Sequence, residues 1–369
     1  MKHQYRLYAW DVSHFSAKLR GYLNFKGLDF EEKRCWLYDI AVRIPRKTGA
    51  RAMPVLQVDT GEWLADTPLI IDTLERRHPQ TPIAASTPRQ RMAALLIENW
   101  FDDAWPKVSI HTRWSFSENW DNMHRHVWSK SLVPLAPAFV GAWFAERLGK
   151  GGISRSRPTL GVTPEQIPLL EQWTLTHLDA LNAHFKDHQY LLGNRPTIAD
   201  YACVAPMYPH LNKDPWPKRE WMNALPVLQA WIDRTHQGHP AAGELLPGDQ
   251  IPPGLSTMMS AIFHEYPVYL EKAVGLLKQK VARDKLSAGA SLPRVLGTVR
   301  YPMLDGEFSS AAFTYSIWRS QRVQKIYRSL PADAQRSVGE WSTSMGRPDL
   351  FSMDLGPTLE RDGLKARLA

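Results

Sequence analysis

The first residues that could carry chemistry flank a short loop near the N-terminus. Ser13 lies in the loop 11–14, between a strand-like run at 5–10 and an apolar-periodic run that predicts a helix over 15–26. A hydroxyl there can donate a hydrogen bond, and the free N–H groups of a first helical turn favour negative charge. Serine is also a common helix-capping residue. The loop is therefore a candidate for stabilising an anion, with simple capping as the alternative.

A second polar pair stands at the start of a later helix. Asp66 and Thr67 precede apolar positions that predict a helix ending at Arg77. Free N–H groups and a threonine hydroxyl suit a carboxylate, whereas an aspartate suits an ammonium group. The same residue types cap helices. Capping and ligand binding are compatible at this position.

The cysteines and histidines predict neither redox nor metal chemistry. Cys35 lies in the middle of a predicted strand and Cys203 lies in an apolar helix, so both are expected to be small buried residues. Two cysteines cannot form a disulfide scaffold, which indicates a reducing compartment. Two histidine pairs have close spacing: His184 with His188, and His124 with His126. Because no nearby pattern of acidic or cysteine ligands accompanies them, we expect surface histidines and no metal site.

Composition limits the class of protein. The chain has 369 residues, an apolar share of 44% and a formal net charge of +8, which indicates a folded protein of two or three domains. The excess charge is concentrated in residues 251–330, with 11 basic and 5 acidic residues, but it is scattered there. That segment presents either a solvated basic face or a docking surface for an acidic partner. Nucleic acid is not expected as a partner.

The sequence contains no clear targeting signal. No run approaches the apolar length that a membrane-spanning helix needs. The N-terminus also lacks the apolar stretch of a signal peptide. We therefore expect a cytoplasmic protein without a membrane span.

The elements that must position these residues alternate at first and are then helical. The first eighty residues predict strands at 5–10, 29–37, 51–58 and 62–64, with helices at 15–26 and 66–77. A proline-containing linker follows at 79–87. Further helices are predicted at 89–105, at 165–185, after Thr197 and at 225–235.

Four short motifs stand in order along these elements. They are Ser13–Arg20, Met53–Leu56, Asp66–Thr67, and Gly193–Tyr201 with its Thr197/Asp200 capping box. Over about residues 5–236 this arrangement resembles the glutathione S-transferase family. The resemblance implies an α/β thioredoxin-like N-terminal domain at 1–82 and an all-α glutathione S-transferase C-terminal domain at 88–246. An additional, mostly helical C-terminal extension then occupies 247–369.

The resemblance also implies glutathione as cosubstrate. Ser13 matches the position whose hydroxyl stabilises the glutathione thiolate, and the neighbouring His14 and Ser16 are candidates to assist it. Tyr8 is the runner-up, because other classes of the family use a tyrosine near the end of the first strand, although it could instead be a core aromatic. Neither cysteine occupies the position of Ser13. That favours conjugation, ether cleavage or dehalogenation of a hydrophobic electrophile over thiol–disulfide exchange.

The resemblance assigns the remaining glutathione contacts to later segments. In the family, the proline equivalent to Pro54 follows a cis bond, and the main chain at Met53 would pair with the cysteinyl part of glutathione. Asp66 and Thr67 would receive the γ-glutamyl end. The glycyl carboxylate needs a cation from the loop after the second strand. Four residues qualify by type, and the sequence does not choose among them: Arg43, Arg46, Lys47 and Arg51.

The helical part carries six tryptophans between residues 100 and 143. In the family, the corresponding helices wall the electrophile pocket, so these side chains form either an aromatic-lined pocket or an ordinary aromatic core. Family members are commonly homodimers, an arrangement that the extension could block or remodel. The alternative to an enzyme is a non-catalytic scaffold that binds a partner through its basic extension.

Residues 247–369 exceed the usual family length. Apolar residues at helical spacing between 255 and 281 predict a helix with a kink at Pro267. Residues 294–312 predict a hairpin, and 313–330 predict another helix. From Pro331 the chain is polar, which predicts a loosely ordered tail.

Overall fold

The computed structural model describes residues 3–239, 243–363 and 365–369. Contacts divide the chain into two units, each assembled from three segments. The first unit contains Met1–Ile83, Pro106–Arg157 and Asp200–Ala242, and the second contains Ala84–Trp105, Pro158–Ala199 and Gly243–Ala369. The three consecutive domains expected from the sequence stay a prediction. In the described residues, no helix combines the length and apolar character needed to cross a membrane.

The N-terminal part is a mixed sheet with helices, the α/β thioredoxin-like arrangement expected from the sequence. Its elements are β1 Tyr5–Ala9, α1 His14–Phe25, β2 Phe30–Arg34, α2 Ile44–Thr48, β3 Val55–Val58, β4 Trp63–Ala65 and α3 Thr67–Arg77. The strand order is β2-β1-β3-β4, with β1 parallel to β2 and antiparallel to β3. Apolar side chains from both strands and helices are fully buried, including Leu7, Leu19, Leu56 and Ile70.

The middle of the chain is helical, as expected for the all-α part. Its helices are α4 Pro88–Ala104, α5 Pro106–Trp114, α6 Ser117–Asn119, α7 Arg125–Leu132, α8 Ala138–Ala145, α9 Ile167–Asp187, α10 Ile198–Pro206, α11 Pro215–Glu220 and α12 Pro226–Gln237. The predicted interruption at Pro106 is present, because proline lacks an N–H and clashes with the preceding turn. At the start of α10, the Thr197 hydroxyl accepts a hydrogen bond from the Ala199 N–H at 3.3 Å.

The first part of the extension follows the predicted pattern. Its elements are α13 Ser256–Ser260, α14 Tyr266–Arg283, β5 Val295–Met303, β6 Gly306–Phe313 and α15 Thr314–Arg328. A π-helical turn, Ala261–Glu265, joins α13 to α14, so the helical run continues to Arg283 with an irregular turn just before Pro267. A kink at Pro267 stays a prediction. The predicted hairpin is confirmed, since β5 and β6 pair antiparallel with Met303 opposite Gly306.

The predicted loosely ordered tail after Pro331 is wrong. A helix, α16 Ala332–Ser344, and a hairpin of β7 Leu359–Asp362 with β8 Lys365–Leu368 occupy this region. Trp341 of α16 is 7% exposed, and its ring centroid lies 5.1 Å from that of Phe263. A few well-spaced apolar residues order a polar segment when a neighbouring surface can bury them, and average composition does not reveal such a neighbour.

Candidate active site

Strand register brings three separate loops to one end of the N-terminal sheet. Tyr8 of β1 lies opposite Val55 of β3, and Val55 lies opposite Ala65 of β4. Because both pairings are antiparallel, the C-terminal ends of β1 and β4 lie beside the N-terminal end of β3. The loops at that end carry three predicted sites: Ser13, Met53–Pro54 and Asp66–Thr67. The register therefore gathers residues that the sequence keeps far apart.

Ser13 occupies the N-cap position of α1, with an extended backbone at φ −97° and ψ 130°. Its side chain is half-buried and makes no capping hydrogen bond. No partner for this hydroxyl exists among the described residues. The hydrogen bond that simple helix capping would require is therefore absent. The Ser13 hydroxyl lies at the start of α1 and can donate a hydrogen bond to a ligand.

The two residues predicted to assist Ser13 are both buried. His14 Nδ1 lies 3.0 Å from Ser109 Oγ, and the His14 ring centroid is 5.9 Å from that of His210. The Ser16 hydroxyl is buried and accepts a long hydrogen bond of 3.5 Å from the Trp10 N–H. Both side chains are thus engaged within the first unit.

The two other loops at this sheet end have unusual backbone conformations. The Met53–Pro54 peptide bond is cis, as the resemblance implies. Asp66 has φ 82°, in a region that costs a non-glycine residue about 1–3 kcal/mol and that recurs at ligand-binding positions. The Asp66 side chain does not cap α3, and Thr67 is only 4% exposed.

Tyr8 has the environment of a core residue. It is 2% exposed, and its hydroxyl donates to Gln57 Oε1 at 3.2 Å. Its ring lies 4.9 Å from that of Trp63. These contacts favour the packing alternative for Tyr8 and leave Ser13 as the better-placed donor.

The four candidates for binding the glycyl carboxylate differ in whether their charge is already paired with an acidic side chain. Arg43 Nη1 donates to Asp39 Oδ1 at 2.5 Å, and its guanidinium lies 5.3 Å from the Tyr38 ring. Arg51 is exposed two residues before Met53, and no acidic group pairs with it within the described ranges. Two further cations, on α2, are also exposed: Arg46 and Lys47. Arg51 is therefore the candidate closest in sequence to the cis bond and still available for a ligand.

The cysteines are buried, as predicted. Burial raises the pKa of the Cys35 thiol to about 12, and burial also holds the pKa of the Cys203 thiol well above its ordinary value. Neither thiol is therefore ionised near neutral pH, which an attacking sulfur requires.

The expectation that the paired histidines lie on the surface is wrong for two of the four. His184 and His124 are buried, whereas His126 is exposed and His188 is half-buried. Burial lowers the pKa of His184 to about 4, so its ring is neutral at neutral pH. Helical spacing alone did not show which face of each helix is covered. Within the described part of the chain, no group of three or more candidate ligands could hold a metal ion.

Sequence reasoning missed a buried ionic cluster next to the Ser13 loop. Arg113 of α5 donates from Nε and Nη2 to the two carboxylate oxygens of Asp214, at 2.9 and 3.1 Å. His124 Nε2 lies 2.7 Å from Asp214 Oδ1, and Arg113 Nη1 donates to the Val12 carbonyl oxygen at 2.5 Å. No local pattern indicated this cluster, because α5 is of mixed polarity and the partner of Arg113 lies 101 positions away.

The six tryptophans between 100 and 143 divide between the two units. In the first unit, three tryptophans pack in a row that reaches Trp10. The ring centroid of Trp128 lies 5.0 Å from that of Trp10, Trp114 lies 5.7 Å from Trp128, and Trp120 lies 5.4 Å from Trp114. In the second unit, two pack against Trp173 at 5.3 and 5.4 Å: Trp100 and Trp105. Trp143 is 57% exposed. Core packing accounts for five of the six, and an aromatic electrophile pocket stays a prediction.

Two segments of the chain match models of known protein domains. A model of the glutathione S-transferase N-terminal domain matches residues 7–82, and a model of the glutathione S-transferase C-terminal domain matches residues 174–234. Maleylacetoacetate isomerase of Pseudomonas aeruginosa is 33% identical over 98 residues, covering 23% of this chain and 43% of the relative. The chain therefore spans less than half the length of this curated relative.

Several solved structures are similar at low sequence identity. A glutathione S-transferase of Rhodospirillum rubrum F11 is 17% identical, with a TM-score of 0.42 over 68% of this chain and 96% of that chain. A glutathione S-transferase of Methylobacterium radiotolerans, in complex with glutathione sulfonate, is 22% identical, with a TM-score of 0.38 over 66% and 97%. A β-etherase of Sphingobium sp. strain SYK-6 is 17% identical, with a TM-score of 0.41 over 63% and 94%.

Proposed function

Because the chain belongs to the glutathione S-transferase family, we propose that it is a glutathione-dependent transferase in which Ser13 activates the glutathione thiol. The observation that carries the proposal is the half-buried Ser13 hydroxyl, which has no partner among the described residues, at the sheet end that also holds Met53–Pro54 and Asp66–Thr67. A hydroxyl donor beside a strand end and a helix start fits a ligand that carries a thiol, a peptide main chain and a carboxylate.

In this proposal Ser13 donates its hydroxyl hydrogen bond to the glutathione sulfur. A free thiol has a pKa of about 8.5, and a hydrogen bond to the charged form lowers it. The first-turn N–H groups of α1 add a favourable potential for the thiolate. The thiol proton leaves to solvent, a sulfur electron pair forms a bond to the electrophilic carbon, and the leaving group departs with its own electron pair.

The other contacts follow from the loops at the same sheet end. The main chain at Met53 would pair with the cysteinyl unit, and Asp66 with Thr67 would bind the γ-glutamyl end. We assign the glycyl carboxylate to Arg51, because Arg43 is already paired with Asp39.

The electrophile is proposed to be hydrophobic, as the resemblance to the family implies. Conjugation, ether cleavage and dehalogenation all use the same attack and differ in the leaving group. We further propose a homodimer in the cytoplasm. Two free, buried cysteines support a reducing location.

The test combines calorimetric titration with glutathione and a conjugation assay with an aryl halide. Ser13→Ala is expected to lower kcat about 10²-fold, the size seen when one preorganised donor is removed, with glutathione affinity changed by less than about threefold. Ser260→Ala, at an exposed position of α13, is the matched control and leaves both values unchanged. The kcat of Tyr8→Phe, measured in the same assay, tests whether Tyr8 activates the thiol instead of Ser13.

Two outcomes would count against the proposal. Failure of the wild-type protein to bind glutathione would overturn the enzyme assignment. An unchanged kcat in Ser13→Ala, with a large loss in Tyr8→Phe, would transfer the activating role to Tyr8.

The alternative of a non-catalytic scaffold depends on a basic extension. Part of that basic charge is internal to the second unit, since Arg319 pairs with Asp102 and Asp103. Arg322 Nη1 also lies 3.8 Å from Glu98 Oε2. The extension therefore offers less free positive charge than its sequence indicates, and an acidic partner at 251–330 stays a prediction.

A further inference from the structure

The buried guanidinium of Arg113 connects the Ser13 loop to a later part of the first unit. Arg113 is 5% exposed, near the end of α5. Its Nη1 donates to the Val12 carbonyl oxygen at 2.5 Å, and its Nη2 donates to the Pro209 carbonyl oxygen at 2.7 Å. Its Nε and Nη2 also bind the two oxygens of Asp214. One planar group thus holds the Ser13 loop, the helical turn at Pro209 and one carboxylate together.

The contact with Val12 bears directly on the orientation of Ser13. The Val12 carbonyl and the Ser13 N–H belong to the same peptide group, and this N–H donates to the Trp10 carbonyl oxygen at 3.1 Å. Because a peptide group is planar, hydrogen bonds at both of its ends restrain its rotation. That rotation sets the direction in which the Ser13 side chain leaves the main chain.

Asp214 in turn orients the guanidinium. Burial raises the pKa of Asp214, but Arg113 and His124 together outweigh burial and hold it below its ordinary value, so the carboxylate is ionised at neutral pH. Burial and Arg113 lower the pKa of His124, so its neutral ring donates from Nε2 to Asp214. A two-oxygen acceptor matches the planar fork of arginine, a geometry that lysine cannot reproduce.

We propose that Arg113 is a positioning residue for the transferase reaction, holding the Val12–Ser13 peptide group so that the Ser13 hydroxyl points at the glutathione sulfur. The inference rests on the proposed function. An arginine that served stability alone would be satisfied by Asp214, whereas this one also binds the main-chain oxygen directly before Ser13.

The decisive variant is Arg113→Lys, which keeps the charge and removes the fork. The pKa of bound glutathione, read from the pH dependence of kcat/KM and from the ultraviolet absorbance of the thiolate, is expected to rise by about one unit. A misplaced donor is also expected to lower kcat about 10- to 100-fold, while glutathione affinity changes by less than about threefold. Arg319→Lys, at a buried arginine of the second unit, is the matched control and leaves the thiol pKa unchanged.

A double-mutant cycle separates positioning from stability. If Arg113 acts through Ser13, adding Arg113→Lys to Ser13→Ala produces no further rise in the thiol pKa. A full additional rise in that background would overturn the positioning role while leaving Ser13 in place. An unchanged thiol pKa in Ser13→Ala would instead overturn the proposed function and this inference with it.

A milder variant covers the case in which Arg113→Lys does not fold. His124→Asn removes one hydrogen bond from Asp214 and leaves the Arg113 fork intact. It is expected to raise the thiol pKa in the same direction by less than Arg113→Lys. No movement of that pKa in the folded variant would overturn the inference.

Discussion

Arg113 in the first unit and Arg319 in the second are both buried beside aspartates, yet they bind different kinds of group. Arg113 divides its donors between Asp214 and two main-chain carbonyl oxygens. Arg319 directs Nη1 and Nη2 to two adjacent carboxylates of α4, Asp103 and Asp102. Arg113 restrains the main chain at Val12 and at Pro209, and Arg319 fastens α15 to α4. The difference between the two arginines therefore lies in the N–H groups that do not bind an aspartate: those of Arg113 bind the main chain beside a candidate site.

Arg319, Asp102, Asp103 and Tyr266 form a buried cluster that ties the C-terminal extension to α4. Arg319 lies on α15, and Asp103 also accepts a hydrogen bond from Tyr266 on α14. Both helices belong to the surplus length, whereas the carboxylates belong to α4. The extension thus neutralises acidic groups of the helical part within the second unit.

The largest effect is expected from Arg319→Met. Removing this cation leaves Asp102 buried without its counter-charge, which is expected to cost about 3–5 kcal/mol in the free energy of unfolding. Urea unfolding measures the loss, and the thiol pKa of bound glutathione in the folded protein stays unchanged. Arg300→Met, which breaks an exposed pair with Glu307, is the control and is expected to cost at most about 1 kcal/mol. Equal losses in the two variants would contradict the comparison.

The aspartates of the two clusters are expected to respond to pH in opposite directions. Burial raises the pKa of Asp214, but Arg113 and His124 hold it below 3.8, so its stabilising contribution is present above pH 3.8 and is lost as the pH falls through its native value. Burial raises the pKa of Asp103 against the pull of Arg319, so its contribution is present below pH 3.8 and is lost as the pH rises.

Urea midpoints measured across pH test this difference. Asp214→Asn is expected to be less stable than wild type at neutral pH and to lose less stability on acidification. Asp103→Asn is expected to lose less stability as the pH rises. Identical pH profiles for the two variants would show that the clusters do not differ in this way.

The smallest effect is expected from an exposed cation. Arg51→Gln is expected to weaken glutathione binding by about fivefold at low salt, which corresponds to about 1 kcal/mol. Added salt screens exposed charges, so the difference from wild type shrinks at high ionic strength. Arg46→Gln is the matched control, and titration calorimetry at two salt concentrations measures both. A loss of equal size in Arg46→Gln would remove Arg51 from the site.

Local signals were sufficient for much of the fold. The period of apolar residues placed α1 and α14, and a π-helical turn stands just before Pro267 in the second of these helical runs. The same reasoning failed for the tail, because Val338 and Trp341 are too few to signal a helix without the surface that buries them. It also failed for His124, whose partner is Asp214, 90 positions away.

The sequence by itself indicated the family resemblance, the order of elements in the first eighty residues and the residue types of the candidate site, because capping boxes, strand alternation and the Met53–Pro54 motif lie in neighbouring residues. Only the tertiary structure decided that Ser13 carries an unengaged hydroxyl, that Tyr8 is packed, and that Arg113 reaches the Val12 carbonyl. Those facts depend on strand register and helix packing. Both bring together side chains that no local pattern relates.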